Sequence, residues 1–324
     1  MKRFLSILSL FIAIMFIIGL IKLAISPNSN YSYPFLSAKM EYLKKHPEYN
    51  LYFIGSSKIN NQIDCKLLDA NVEGLKSYNL GANASFNLEN FQTLEYVLEN
   101  PSFKPKYIVL ELQDKINITR LNLKTERSFG AFNYENTIFA SQFQLNNDNY
   151  KQVVMAWASF VLNVFHFNKN SDEKAVQENY NRFVYEDQGF SPLEYSVVPR
   201  TKENQLKKVI KDRLAGYHAD HEKHGLNRAL VEKINEIAGK CKKRNIQLIM
   251  FIPGPAEPDA KKLEVYKDKF SVPVISLVDP DEYPEFYLYE NRWDYGHLNE
   301  KGSKILSNKL VPFLKNILQK DIEK

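Results

Sequence analysis

Five short apolar runs, each bounded by glycine, proline or a turn, constrain this chain more than any other feature. They are Leu51 to Ile54 before Gly55, Ser77 to Leu80 before Gly81, Tyr107 to Leu112 after Lys104-Pro105-Lys106, Gln247 to Ile252 before Pro253-Gly254-Pro255, and Val272 to Val278 before Asp279-Pro280. Runs of this length and composition read as strands buried on both faces. Between them lie helical patterns at Leu88 to Leu98, Leu230 to Cys241 and Ser303 to Leu318, with apolar residues at i, i+3 and i+4. Pro312 lies inside the last and is expected to kink or split it. Strands alternating with helices imply an α/β domain whose parallel sheet is covered on both faces.

Two segments fall outside that alternation. At the N-terminus, Lys2 and Arg3 precede an uncharged apolar run from Phe4 to Ile21. About 20 apolar residues match the hydrocarbon thickness of a bilayer. Residues 1–25 are therefore expected to form a single transmembrane anchor, with Lys2 and Arg3 cytoplasmic, Lys22 snorkelling to the far interface, and the rest of the chain extracytoplasmic. A cleaved signal peptide is the competing reading, set against the length of the run and the lack of a clean small-residue cleavage site. Residues 26–46 read as a linker followed by a lead-in helix, and residues 47–320 as the main domain. The second exception, residues 115–224, is rich in Phe, Tyr and Asn and holds an apolar amphipathic stretch, Val153 to Phe167. It reads as a large insertion able to form a lid or substrate wall.

The formal charge of +5 over 324 residues is mild and scattered, with no arginine-rich or aromatic-interleaved stripe, so nucleic acid is not an expected partner. Cys65 and Cys241 show no CxxC spacing. Two buried thiols are the plainer reading, and a disulfide between them cannot be deduced. His218, His221 and His224 would drift around a helix rather than share one face, so no metal site is expected there, and no cofactor is implied.

Three loops carry chemistry. Phe53-Ile54-Gly55-Ser56-Ser57-Lys58 places a serine just past the first strand, at the sheet edge where open α/β folds bind ligands. Tyr78-Asn79-Leu80-Gly81-Ala82-Asn83 follows the second, where the Gly81 N–H could approach a ligand closely. Trp293-Asp294-Tyr295-Gly296-His297-Leu298-Asn299-Glu300-Lys301-Gly302 precedes the final helix. An Asp three residues before a His in a tight loop can accept the imidazole Nδ1–H and leave Nε2 as base for a serine hydroxyl. Trp293 and Arg292 flank that loop; packing and an ordinary surface arginine are their plain readings.

In this order and placement, the Gly-x-Ser, Asn-x-Gly and Asp-x-x-His-Leu-Asn-x-x-Gly motifs resemble the SGNH (GDSL-type) hydrolase family. The Gly-Ser-Ser form is similar to that of membrane-anchored members that modify cell-surface polymers. The resemblance covers about residues 51 to 318 apart from the insertion. It implies a three-layer α/β/α flavodoxin-like fold, with Ser57 as nucleophile, His297 as base and Asp294 as its orienting acid. It also implies oxyanion donors at the Ser57 and Gly81 N–H groups. The family's third donor, an asparagine in a Gly-x-Asn-Asp block, has no counterpart in Glu111-Leu112-Gln113-Asp114; Gln113 or Asn83 would have to serve. The implied activity is that of a serine esterase or acyltransferase acting on acyl groups, O-acetyl foremost, of cell-surface or exported polysaccharide at a bacterial cell membrane. An acylated glycan and a membrane acyltransferase are the implied partners. A non-catalytic glycan-binding or accessory protein on the same fold is the alternative.

Overall fold

The computed structural model describes residues 2–25, 34–83, 85–116, 130–165, 182–193, 200–220, 225–255 and 260–322. Five strands form one parallel sheet: β1 (Leu51–Ile54), β2 (Ser77–Asn79), β3 (Tyr107–Glu111), β4 (Gln247–Ile252) and β5 (Val274–Ser276), in spatial order β2-β1-β3-β4-β5. Register is continuous across the sheet: Phe53 lies beside Asn79 and Val109, Val109 beside Ile249, and Phe251 beside Ile275. Every residue of β1, β2 and β3 is buried, as unbroken apolar strands in a sheet covered on both faces should be.

The helices follow from that topology. In chain order they are α1 (Lys2–Ile25), α2 (Pro34–Lys45), the single turn α3 (Ser57–Asn60), α4 (Cys65–Asn71), α5 (Asn87–Glu99), α6 (Tyr134–Leu145), α7 (Tyr150–Phe165), α8 (Arg200–Ala219), α9 (Arg228–Lys243), the short α10 (Ala260–Glu264) and α11 (Glu300–Ile322). The crossover from β1 to β2 runs opposite to those from β2 to β3 and β3 to β4. Right-handed crossovers therefore put α4 on one face and α5 and α9 on the other. The helix α11 returns to the α4 face, where the Asp64 N–H, at the N-cap of α4, donates to Ser307 Oγ at 2.9 Å. This separation keeps Cys65 of α4 and Cys241 of α9 apart: both are buried free thiols. Burial pushes both thiols up, Cys241 to about 12.

Three features differ from the sequence reading. The last helix is continuous through Pro312 and is not split. One lost backbone bond is outweighed by Leu306, Leu310 and Leu314, buried on either side of it. The strand expected over Val272 to Val278 narrows to three residues, as suits an edge strand with one neighbour. The lead-in helix α2 belongs to the folded core, with Leu36, Met40 and Leu43 buried in it. The segment between β3 and β4 contributes α6, α7 and α8 together with Arg182 to Leu193, which runs beside the β2 edge. There the Asn79 N–H donates to Gln188 O at 2.9 Å and the Ser191 N–H to Asn60 O at 2.9 Å, so the edge strand is covered. The apolar helix α1 is long enough to cross a membrane by length and composition, with Phe4–Ile21 averaging a hydropathy of 2.9 and only 6% buried.

One ion pair lies inside the α5/α9 layer: Lys233 Nζ meets Glu95 Oε1 at 3.0 Å, with side chains only 5% and 8% exposed. Removing one partner strands a buried charge, at a cost of about 3 kcal/mol or more. In urea denaturation, Lys233→Met should lower stability by about that amount, tempered by Lys240, 3.7 Å from the same carboxylate. The double substitution Glu95→Met with Lys233→Met should recover most of the loss.

Candidate active site

The strand order reverses at β1 and β3, and the loops leaving their carboxyl ends flank a cleft at that point. Beyond β1 the chain turns sharply into α3. Ser56 caps that turn, its Oγ accepting the Lys58 N–H at 3.2 Å. The buried carboxylate of Glu111, at the end of β3, reaches across to the same turn. It accepts the Ser56 N–H at 2.5 Å and the Ser56 Oγ–H at 3.0 Å. A Cβ at Gly55 would strike Glu111 and Ile59, so only glycine lets the carboxylate in so close. The result is a fixed turn with Ser57 at its apex, whose N–H has no acceptor among the described residues.

The loop before α11 is held with similar thoroughness. Asn299, fully buried, caps the helix by accepting the Gly302 N–H at 3.0 Å and donates to Glu290 O at 2.8 Å. Arg292 is buried, contrary to the surface reading. It donates to Asp294 O at 3.0 Å, to Phe286 O at 3.1 Å and to Tyr295 O. Three carbonyls arrayed around one guanidinium explain how a charge is accommodated inside a loop. Trp293 closes a small ladder, its N–H donating to His297 O at 3.0 Å, and its side chain lines the cleft. From α8, the Arg213 guanidinium braces the loop from outside by donating to Tyr295 O at 2.9 Å.

These two frameworks bring Ser57, His297 and Asp294 together. Ser57 Oγ lies 2.7 Å from His297 Nε2, and His297 Nδ1 lies 3.0 Å from both carboxylate oxygens of Asp294. With a carboxylate on Nδ1, that nitrogen carries the proton and donates, leaving Nε2 to accept the Ser57 hydroxyl proton. Burial, the largest influence on Asp294, works against its charge. The His297 hydrogen bond and charge, with the Gly296 and His297 N–H groups, outweigh it and hold the carboxyl below its usual range. Asp294 Oδ1 accepts those two N–H groups at 2.7 and 2.8 Å. A serine hydroxyl, an acceptor imidazole and an ionised carboxylate in line can generate an oxygen nucleophile and store its proton. All three border a cleft of about 750 Å³, with Phe86, Leu112 and Leu193 among its apolar walls and Lys58, Lys115 and Lys262 among its charged ones. Leu193 lies in the segment between β3 and β4, and its carbonyl accepts the Glu300 N–H at 3.0 Å.

The three candidates for the remaining oxyanion donors fall differently. Gly81 does not line the cleft: its N–H donates to Asn79 Oδ1 at 2.9 Å and its carbonyl accepts from Lys39 Nζ at 2.9 Å. The expectation of an outward-facing Gly81 N–H is corrected accordingly, because Asn79, two residues earlier, folds back over it. Asn83 and Gln113 both line the cleft. Asn83 Oδ1 accepts from Asn60 Nδ2 at 3.0 Å, whereas Gln113 Nε2 reaches Ser85 O only at 3.5 Å. Among the described residues no group of three or more histidine, cysteine or carboxylate side chains could hold a metal, and His221 and His224 lie outside those residues.

Sequence reasoning missed Glu111 and Lys39. Glu111 could have been suspected as a carboxylate ending an otherwise apolar strand, since a buried carboxylate needs donors. Lys39, on α2, is completely buried under the site. Its Nζ donates to Asn60 Oδ1 at 2.7 Å as well as to Gly81 O, and lies 4.4 Å from the Phe35 ring centre. Burial drives its pKa well below the ordinary lysine value.

Compared with models of known protein families the chain matches none, and among curated proteins no significant relative is found.

Two outcomes follow. Glu111→Ala leaves the Ser56 N–H and hydroxyl proton unpaired and should cost about 2–6 kcal/mol in chemical denaturation, at about 1–3 kcal/mol per stranded donor. For Lys39 the unfolded chain binds a proton that the folded chain does not, so stability rises with pH between its lowered folded pKa and the ordinary value near ~10.4. Within that window wild-type stability should climb with pH, by up to about 1.4 kcal/mol per unit more steeply than that of Lys39→Met.

Proposed function

We propose that this protein is an extracytoplasmic, membrane-anchored serine esterase or acyltransferase on an SGNH-like, flavodoxin-type α/β/α scaffold. The single observation that carries the reading is the aligned Ser57–His297–Asp294 relay at the mouth of a cleft large enough for an acylated sugar. The sheet order β2-β1-β3-β4-β5 supports it, being the order of flavodoxin-like folds with ligands at the β1/β3 switch point.

In this reading Ser57 Oγ attacks the acyl carbonyl while its proton passes to His297 Nε2. Asp294 stabilises the imidazolium, which then protonates the leaving alcohol. The acyl group rests as an ester on Ser57 until water or a glycan hydroxyl, deprotonated by His297, takes it. The Ser57 N–H is one donor to the developing oxyanion. The second falls to a side-chain amide at the cleft, that of Asn83 or of Gln113. The lysines at the cleft suit an acceptor or substrate carrying negative charge. The α1 helix holds the domain at the bacterial membrane surface, where cell-surface polysaccharide is the abundant acyl-bearing polymer and a membrane acyltransferase could serve as partner.

A second reading is favoured by one observation. With the Gly81 N–H engaged by Asn79, the oxyanion site has fewer backbone donors than an efficient hydrolase of this type would use. A glycan-binding or accessory protein that has kept the fold would tolerate that.

Hydrolysis of p-nitrophenyl acetate by the full chain in detergent separates the two. The enzyme reading predicts turnover that falls to background in Ser57→Ala and His297→Ala, and by on the order of 10⁴-fold in Asp294→Asn. Of Asn83→Ala and Gln113→Ala, the one that removes the second donor should lose on the order of 10²–10³-fold in kcat. Wild-type turnover equal to that of Ser57→Ala would leave the accessory reading standing.

A further inference from the structure

The amphipathic helix α7 has two faces. Ala156, Ser159, Phe160, Asn163 and Val164 are buried against the domain. On the other side Tyr150, Val154, Trp157, Val161 and Phe165 form one exposed stripe at helical spacing, Val154 being 68% exposed. Lys151 is the single charged residue in the helix. Soluble surfaces rarely leave so long an apolar stripe uncovered.

What lies next to that stripe identifies its occupant. The helix α1 packs on the domain at the end of α7: the Phe16 and Phe165 rings are 6.1 Å apart, and a Cβ on Gly19 would collide with the side chain and carbonyl of Val164. Residues 4–14 of α1 remain exposed. At 1.5 Å per residue, Gly19 lies roughly 10 Å beyond the middle of the Phe4–Ile21 run. The hydrocarbon half-thickness is about 15 Å, so the α1/α7 crossing falls inside the leaflet facing the domain. The order of residues along α7 fits that depth. Val161, Leu162 and Phe165, purely apolar, stand at the α1 end, while Trp157 and Tyr150 lie farther along. Tyr134 of α6 has its ring 6.5 Å from that of Trp157. Tryptophan and tyrosine favour the headgroup boundary.

We infer that α7 is a second membrane contact: its exposed stripe seats in the lipid leaflet on the domain side, dipping in at Phe165 and meeting the headgroup boundary at Trp157. The inference rests on α1 spanning the bilayer, as proposed above, and is independent of the chemistry at Ser57. The anchor and α7 then fix the domain's orientation, not only its distance from the lipid.

The chain has two tryptophans, Trp157 and Trp293, so Trp293→Phe leaves Trp157 as sole reporter. The full chain carrying that substitution is reconstituted in phosphatidylcholine–phosphatidylglycerol vesicles. Lipid brominated near the headgroup end of the acyl chain should remove roughly half of the Trp157 emission, and aqueous iodide should quench little of it. A separate chain with both tryptophans replaced by Phe and Ile12→Trp reports insertion of α1. Deep quenching at position 12 with Trp157 open to iodide would overturn the α7 contact while leaving the anchor in place; no bromolipid quenching at either position would overturn both. Protection of Trp157 that grows with protein density and not with bromolipid would assign the stripe to a second copy and overturn the proposal too. In the unsubstituted protein, an acyl-chain diazirine lipid should label the 150–165 peptide; labelling confined to residues 2–25 would contradict the inference.

Discussion

The site depends on one buried carboxylate. Glu111, at the end of β3, accepts both the N–H and the hydroxyl of Ser56 across the line where the strand order reverses. That contact welds the end of one central strand to the turn leaving its neighbour, and Ser57 is the next residue. A nucleophile on a loose loop would lose the alignment that proximity catalysis needs, where about 1 Å of misplacement can cost on the order of 10²-fold. The clamp also accounts for Ser56. A carboxylate there would face Glu111 at hydrogen-bond distance, and two like charges in a buried site would repel. A hydroxyl instead donates to Glu111 and still caps α3.

The second half of the relay is built by different means for the same end. Asp294 and His297 share one loop; the capping Asn299 fixes it to α11, and the inward-turned Arg292 ties it to Phe286. The same helix reaches back toward the Ser57 turn, the Ser303 hydroxyl donating to Asn61 O at 3.0 Å and Ser307 holding the start of α4. Ser57 and His297, 240 residues apart in sequence, are thus placed by a helix that touches both of their loops. Beneath them Lys39 of α2 donates to Asn60 and Gly81, so the packing under the site is continuous with the first helix of the folded core.

Much of this could be read from sequence. Strands buried on both faces are written as continuous apolar runs, and β1, β3 and β4 stand where those runs do, while β5 is shorter because an edge strand receives bonds from one side. Asp294 and His297 were legible because their partnership is local, three residues within a turn. What escaped was long-range or rotameric. Nothing near Glu111 in the sequence points to Ser56, 55 residues away, and nothing near Lys39 points to Gly81. The Gly81 N–H reading failed on a side-chain rotamer: Asn79 could point into the cleft or fold back, and the carbonyls of Ile59 and Ile63, accepting its Nδ2 at 2.7 and 3.0 Å, turn it inward. Arg292 looked like surface because arginine usually is; only the three converging carbonyls show otherwise.

The central claim is that Ser57 is an activated nucleophile, and it is tested most directly by covalent capture. The full-length protein is treated with a fluorophosphonate, which reacts with serines activated by a base, and the site of the adduct is mapped by peptide mass spectrometry. The account predicts a single adduct on Ser57, absent from His297→Ala, in which the base is gone while the serine remains. An unmodified Ser57 in folded wild-type protein, or equal labelling of the His297→Ala variant, would contradict it.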